Sequence, residues 1–250
     1  SAASDVYKRQ THANMMGLDF LLLAMDIMYL RKECKKWYDC ILYAVFIIFL
    51  DRTANSRTAE VIIAMLIVIH LLSIVIPKNW FHKMMVLFTS GAFLLCVGIP
   101  FIGSYLYIHK PELFLQHDGT MLSRIQLTTT FYLRNGGFGF YGFPIEDQDC
   151  LDMMFSYIGL HWGTAAFIII SAAIIYAIYK ASREQHTSFL ILLFFFLVYG
   201  WAEVAPIYPV YSYLSLLLGY YIMNRKPFYC KRPYLSLIHI SEPTRLALIS

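Results

Sequence analysis

The chain has 250 residues, of which 59% are hydrophobic and only 14% charged, with a mean hydropathy of +0.57; a soluble domain is roughly one-quarter charged. The formal net charge is just +4, and the basic residues sit in short clusters between apolar runs rather than along one stripe. These features exclude a nucleic-acid surface and describe an integral membrane protein.

The two ends stand apart from the rest. Ser1 to Gln10, SAASDVYKRQ, resembles the translation of one strand of a transposase-type sequencing adapter. Leu235 to Arg245, LSLIHISEPTR, resembles that of the opposite strand of the paired adapter. Residues 1–10 and 235–250 are therefore expected to be artefacts with no part in the fold. Residues 11–234 are expected to be a membrane domain fragment cut at both ends. A signal peptide does not fit the start, because residues 1–10 hold no apolar run.

A hydrocarbon core of ~30 Å takes about 20 apolar residues in a helix, fewer where the ends snorkel. That rule predicts an all-α, polytopic fold of about seven transmembrane helices. They are Met15 to Leu30, Trp37 to Leu50, Ala59 to Ile76, Met84 to Ile108, Met153 to Tyr179, Ser188 to Ala205 and Ile207 to Met223. Basic clusters follow every second span: Arg31, Lys32, Lys35 and Lys36; Lys78 and Lys83; Lys180 and Arg183; Arg225, Lys226, Lys231 and Arg232. By the positive-inside rule these ends are cytoplasmic. The large loop 109–152 then faces outward and gathers His117, Asp118, Arg124, Arg134, Glu146, Asp147, Asp149 and Asp152 on one membrane face. Within it, the alternation over Met121 to Leu133 suits a helix in the headgroup region. Asn135 to Gly142 suits a flexible interfacial turn. Gly137, Gly139 and Gly142 match GxGxxG, but no strand precedes them, so the match carries no dinucleotide site.

The five cysteines, Cys34, Cys40, Cys96, Cys150 and Cys230, form no CxxC pair, so neither a disulfide framework nor a metal site is expected. No cofactor is expected either. The polar groups that stand out lie where spans meet the outer face. They are His12 and Asn14 in HANMMG, Arg57 in NSRTAE, Arg124 in MLSRIQ, Asp152 in CLDMMFSYIG and Glu203 in VYGWAEVAP.

Taken in order, this series resembles the bacterial polysaccharide polymerases of the O-antigen (Wzy) type. Those proteins show an H-P-N-x-x-G element before a span, S-R-T after an outer loop, (S/G)-R ahead of a large outer loop, and (L)D(N)-x-(Y/F) opening the next span. Here Ala13 stands for the proline, and Met153 for the asparagine after Asp152. The resemblance implies a multi-pass glycosyltransferase of the bacterial cytoplasmic membrane. It would join oligosaccharide repeat units carried on undecaprenyl diphosphate, with a flippase and a chain-length regulator as further partners. It implies Arg57, Arg124 and Asp152 as catalytic residues, and His12, Asn14, Arg134 and Glu203 on the substrate. Arginine suits a diphosphate leaving group, because its planar fork pairs bidentately with phosphate oxygens. Carboxylate or imidazole suits the proton of an attacking sugar hydroxyl.

Other roles stay open. Arg57, Arg124 and Arg134 could snorkel to the headgroups, His12 and Asn14 could cap a helix, and Asp152 could answer a helix dipole. Glu203, Asp19 and Asp26 are costly in lipid, which favours paired or cavity-facing positions. A ligase acting on the same lipid carrier would need the same arginines. A transporter or flippase of lipid-linked glycan would instead show duplicated halves and charges at mid-membrane depth, and neither is visible.

Overall fold

A computed structural model describes residues 17–28, 36–53, 57–112, 120–145, 151–204, 207 and 214–223. The expected artefacts at 1–10 and 235–250 lie outside the described residues, as do His12, Asn14, His117, Asp118 and the acids of 146–150. The described residues are helical, with no strand among them. In chain order the helices are α1 (residues 17–28), α2 (Asp39–Thr53), α3 (Arg57–Val75), α4 (Lys78–His109), α5 (Thr120–Arg134), α6 (Met154–Tyr157, running into a π-turn at Ile158–Trp162), α7 (Thr164–Arg183), α8 (Thr187–Ala202) and α9 (Leu214–Met223).

Three of them, α3, α4 and α7, are long and apolar enough to cross a membrane, and α8 is a shorter apolar helix. Their outward faces agree with a lipid setting. Val61, Val68 and Val75 form an exposed stripe at seven-residue spacing on α3, and Leu87, Leu94 and Ile102, seven and eight residues apart, form another along α4. In water such stripes would be a large uncovered apolar patch. The opposite face of α4, with Phe81, Met85, Thr89, Ala92, Phe93 and Cys96, packs inward.

At the centre is α8, buried on all sides from Phe189 to Leu197. It is surrounded by α4, α3, α7, α6 and α9. Thr89 donates to the Leu190 carbonyl at 3.1 Å and Cys96 to the Leu197 carbonyl at 2.9 Å. The two helices therefore run parallel and in register, which sets Ala202 level with Phe101. With a rise of 1.5 Å per residue, α8 ends about 12 Å short of the end of α4.

One end of the bundle is basic. Lys78 and Lys83 begin α4, and Lys180 and Arg183 end α7. His82 joins these two ends, accepting from the Thr187 hydroxyl at 2.9 Å and donating to the Ser182 carbonyl at 3.2 Å. His70, near the end of α3, donates to the Lys36 carbonyl at 3.0 Å. Lys180 reaches the Tyr221 carbonyl of α9 at 2.6 Å. The basic clusters predicted to share a face thus do so wherever they are described. Arg57, the close of α4 and the close of α8 lie at the opposite end.

Two expectations are corrected. The run Met153 to Tyr179 is not one span: it breaks at Gly163, whose φ of +93° ends the π-turn before α7 starts. The glycine-rich turn is docked rather than loose. Its Gly139 carbonyl accepts from the Thr164 backbone N–H at 3.0 Å, and Phe143 N–H donates to the Leu160 carbonyl at 2.9 Å. His161 Nδ1 donates to the Phe143 carbonyl at 2.8 Å. The turn therefore supplies acceptors to the first N–H groups of α7, which no helix bond can satisfy. The break and the turn approach each other backbone to backbone. A Cβ on Gly142 would stand 2.0 Å from the His161 carbonyl oxygen, and one on Gly163 would stand 2.4 Å from Gly142 N.

Candidate functional site

The predicted helix in the large loop forms as α5 and lies against α4. The contact is close because Gly103 has no side chain: a Cβ there would stand 2.8 Å from Ile125 Cδ1. Ile125 and Thr129 are buried on this side. Packing Ile125 onto Gly103 fixes the neighbouring Arg124 at the level of the α8 terminus, well inside the end of α4.

Arg124 meets two acids there. Its Nη2 donates to Glu203 Oε1 at 3.3 Å, and its Nε stands 3.5 Å from Asp152 Oδ2. Nη1 donates to the Ala202 carbonyl, one of the carbonyls left free at a helix C-terminus, where positive charge is favoured. Arg124 and Glu203 are only 14% and 13% exposed, and Asp152 30%. The cluster therefore joins α5, the segment leading into α6, and the last turn of α8. Arg124 Nε, although near Asp152, has no aligned hydrogen bond, and Trp201 Nε1 on the same last turn of α8 also lacks an acceptor among the described residues.

One guanidinium between two carboxylates leaves a net negative charge when both acids are ionised. Glu203, just past the last residue of α8, shows the consequence: burial pushes its carboxyl from the ordinary 4.5 up to about 7. Arg124 pulls it down, while Asp152, competing for the same guanidinium, pushes it up again. Burial prevails because the attraction of Arg124 is shared. An acid at such a value exchanges its proton near neutrality, as a general acid–base group must.

The other predicted residues are placed apart from this cluster. Arg57 is the first residue of α3 and is exposed. Among the described residues no hydrogen bond or ion pair joins it to Arg124, Asp152 or Glu203. Arg134 lies ten residues beyond Arg124 on α5, about 15 Å along the helix, with its guanidinium 5.1 Å from the centre of the Phe131 ring. Asp152 does not open a long span but precedes the short, buried α6. Asp19, exposed on α1, is near enough to act electrostatically on Tyr199 of α8.

Beside the cluster is a cavity of about 230 Å³ between α4, α5, α6 and the docked turn, with Phe101, Ser104, Thr128, Tyr132, Phe138 and Ser156 in its wall. Of these six only Phe138, in the aromatic turn Asn135 to Gly142, had stood out in the sequence. The signal was present in the spacing, since Thr128 lies four residues after Arg124 and Ser156 four after Asp152. Among the described residues no three His, Cys, Asp or Glu side chains are grouped to hold a metal ion. Comparison with family models, with curated proteins and with solved structures finds no match to this chain.

Proposed function

We propose that the protein is a multi-pass glycosyltransferase of the bacterial cytoplasmic membrane, with about seven spans, acting at the membrane face opposite its lysine clusters. Its substrate is an oligosaccharide on undecaprenyl diphosphate, and its reaction the polymerisation of such units, as in the Wzy-type polymerases that the motif series resembles. The observation that carries the reading is the grouping of Arg124, Asp152 and Glu203, three of the residues the motifs singled out, at one recessed end of the bundle.

In this reading an acceptor sugar hydroxyl gives its proton to Glu203 as its oxygen bonds to the anomeric carbon of the donor glycan. The bond from that carbon to the diphosphate oxygen breaks, and lipid diphosphate leaves with the electron pair. Protonated Glu203 no longer competes as an anion for Arg124, whose charge then turns to the departing phosphate. Stabilising charge where it develops is commonly the largest part of such a catalysis. Asp152 holds the guanidinium in place throughout.

The test is glycan extension in vitro by the full-length protein from purified lipid-linked repeat units, scoring protein level and chain length together. Arg124→Lys keeps the charge and loses the fork, and Glu203→Gln loses the proton acceptor. Each should lower turnover about 10²- to 10³-fold, whereas Arg134→Lys should change little. Near-normal extension by both variants would remove the cluster from the chemistry.

A further inference from the structure

The cavity beside the cluster has the make-up of a ligand subsite. Its wall combines aromatic rings, Phe101, Tyr132 and Phe138, with hydroxyls from Ser104, Thr128 and Ser156, and the exposed His109 is the one basic side chain on it. Ser156 is 2% exposed, and its Oγ has no hydrogen-bond partner among the described residues; Thr128 is 5% exposed. A hydrocarbon occupant would leave such hydroxyls unanswered, at the cost of a buried polar group without a partner. Apolar rings with a few placed polar groups are the usual lining of a small-molecule site. The volume of about 230 Å³ is below the roughly 300–1,000 Å³ of a drug-sized pocket, so it takes one ring and not a chain of them. Its position is as telling as its lining. Thr128 lies one turn beyond Arg124 on α5, and residues four apart on a helix have Cβ atoms about 5–6 Å apart; Ser156 is in α6, into which the segment carrying Asp152 leads.

We infer that this cavity binds a single hydroxylated sugar ring, stacked on the aromatic wall and held within one ring's length of Arg124 and Glu203. The inference rests on the glycosyl-transfer reading for the role of that sugar, as donor or acceptor, but not for its binding. The hydroxyls of the ring give partners to Ser156 and Thr128, and its apolar faces lie against Phe101, Tyr132 and Phe138.

The experiment uses the full chain in lipid nanodiscs, with its native cysteines replaced and Ser104→Cys introduced, and follows alkylation of that thiol by a small methanethiosulfonate. The probes are the methyl glycosides of glucose, galactose, mannose and N-acetylglucosamine, with cyclohexylmethanol as an apolar ring of like size. At least one glycoside should slow labelling at position 104, and cyclohexylmethanol should not. Adding Ser156→Ala should weaken that protection about fivefold, and a Ser73→Cys control near the basic end should show none. Absence of protection by every glycoside, or equal protection by cyclohexylmethanol, overturns the subsite. Protection that persists while no variant or wild-type protein extends glycan leaves the sugar subsite standing and refutes glycosyl transfer. Extension that depends on Arg124 without any protection does the reverse.

Discussion

Replacing Glu203 by glutamine isolates the one strongly displaced titration in the site. In the folded protein this acid is held at about 7 against an ordinary 4.5, a difference that corresponds to about 3 kcal/mol between its two protonation states. Below pH 4.5 the carboxyl is protonated folded or unfolded, and its favourable contribution is fully present. Between 4.5 and 7 the folded chain keeps a proton that the unfolded chain has given up, so stability falls as pH rises, and the loss levels off above 7. Glu203→Gln keeps an oxygen for Arg124 Nη2 but carries no ionisable group. The variant should therefore match wild type near pH 5 and exceed it by up to about 3 kcal/mol near pH 8, roughly 6–12 °C in unfolding midpoint. The measurement is thermal unfolding of both proteins in one mild detergent from pH 5 to pH 8, read as the difference between the two curves so that all other titrations cancel. A flat difference, or one in which the variant loses ground as pH rises, would refute the view that burial outweighs Arg124 at this carboxyl. The same titration predicts that glycan extension by wild type rises with pH through about 7, where Glu203 becomes able to accept a proton.

Two further outcomes test the scaffold. Gly142→Ala places a side chain on a residue with φ of +76° against the His161 carbonyl; the left-handed backbone costs about 1–2 kcal/mol, and each docking hydrogen bond lost adds about 0.5–1.5 kcal/mol. Its thermal midpoint should fall well below that of Gly136→Ala, where an added Cβ meets open space. Single cysteines placed at Arg57, Arg124, Lys83 and Arg183 in a Cys-free background should be labelled in intact cells at 57 and at 124 only. Label reaching 183 and not 124 reverses the orientation.

The helices were legible where lipid alone dictates the pattern. The predicted run Ala59 to Ile76 becomes Arg57–Val75, because its length and apolarity leave little choice. The run Met84 to Ile108 falls six residues short of the start of α4 at Lys78, since hydropathy senses the hydrocarbon-facing turns and not the polar turn that continues the same helix after Pro77. The break at Gly163 was hidden for the opposite reason. Both sides of it are apolar, and what marks the break is a backbone contact with Gly142, twenty-one residues earlier, which no local pattern reports. The site was half legible. Arg124, Asp152 and Glu203 each stood out as charges at span ends, but which of them meet depends on where α5 crosses α4. That crossing is set by Ile125 seated on Gly103. A sequence can rank the costly charges; it cannot by itself pair them.

The pairing also bears on how an anionic substrate could enter. With both acids ionised, the cluster carries one negative charge in excess and repels a diphosphate, however well a guanidinium fork matches phosphate oxygens. With Glu203 protonated, Arg124 and Asp152 balance, and the cluster no longer repels an anion. Binding of the diphosphate and uptake of a proton by Glu203 are then linked, each favouring the other by the same factor. The proposed glycosyl transfer requires the opposite state, a Glu203 anion ready for the acceptor's proton. A carboxyl near pH 7 reconciles the two demands, because neither state is costly to reach at neutrality. Arg57 fits this account from its separate place. Exposed at the same end of the bundle, it would under the proposed function attract the diphosphate before the recessed site is ready, a role that needs its charge and not its fork. Arg57→Lys should accordingly preserve the extension that Arg124→Lys lowers about 10²- to 10³-fold, and an equal loss in both would mean that the two arginines meet on the substrate.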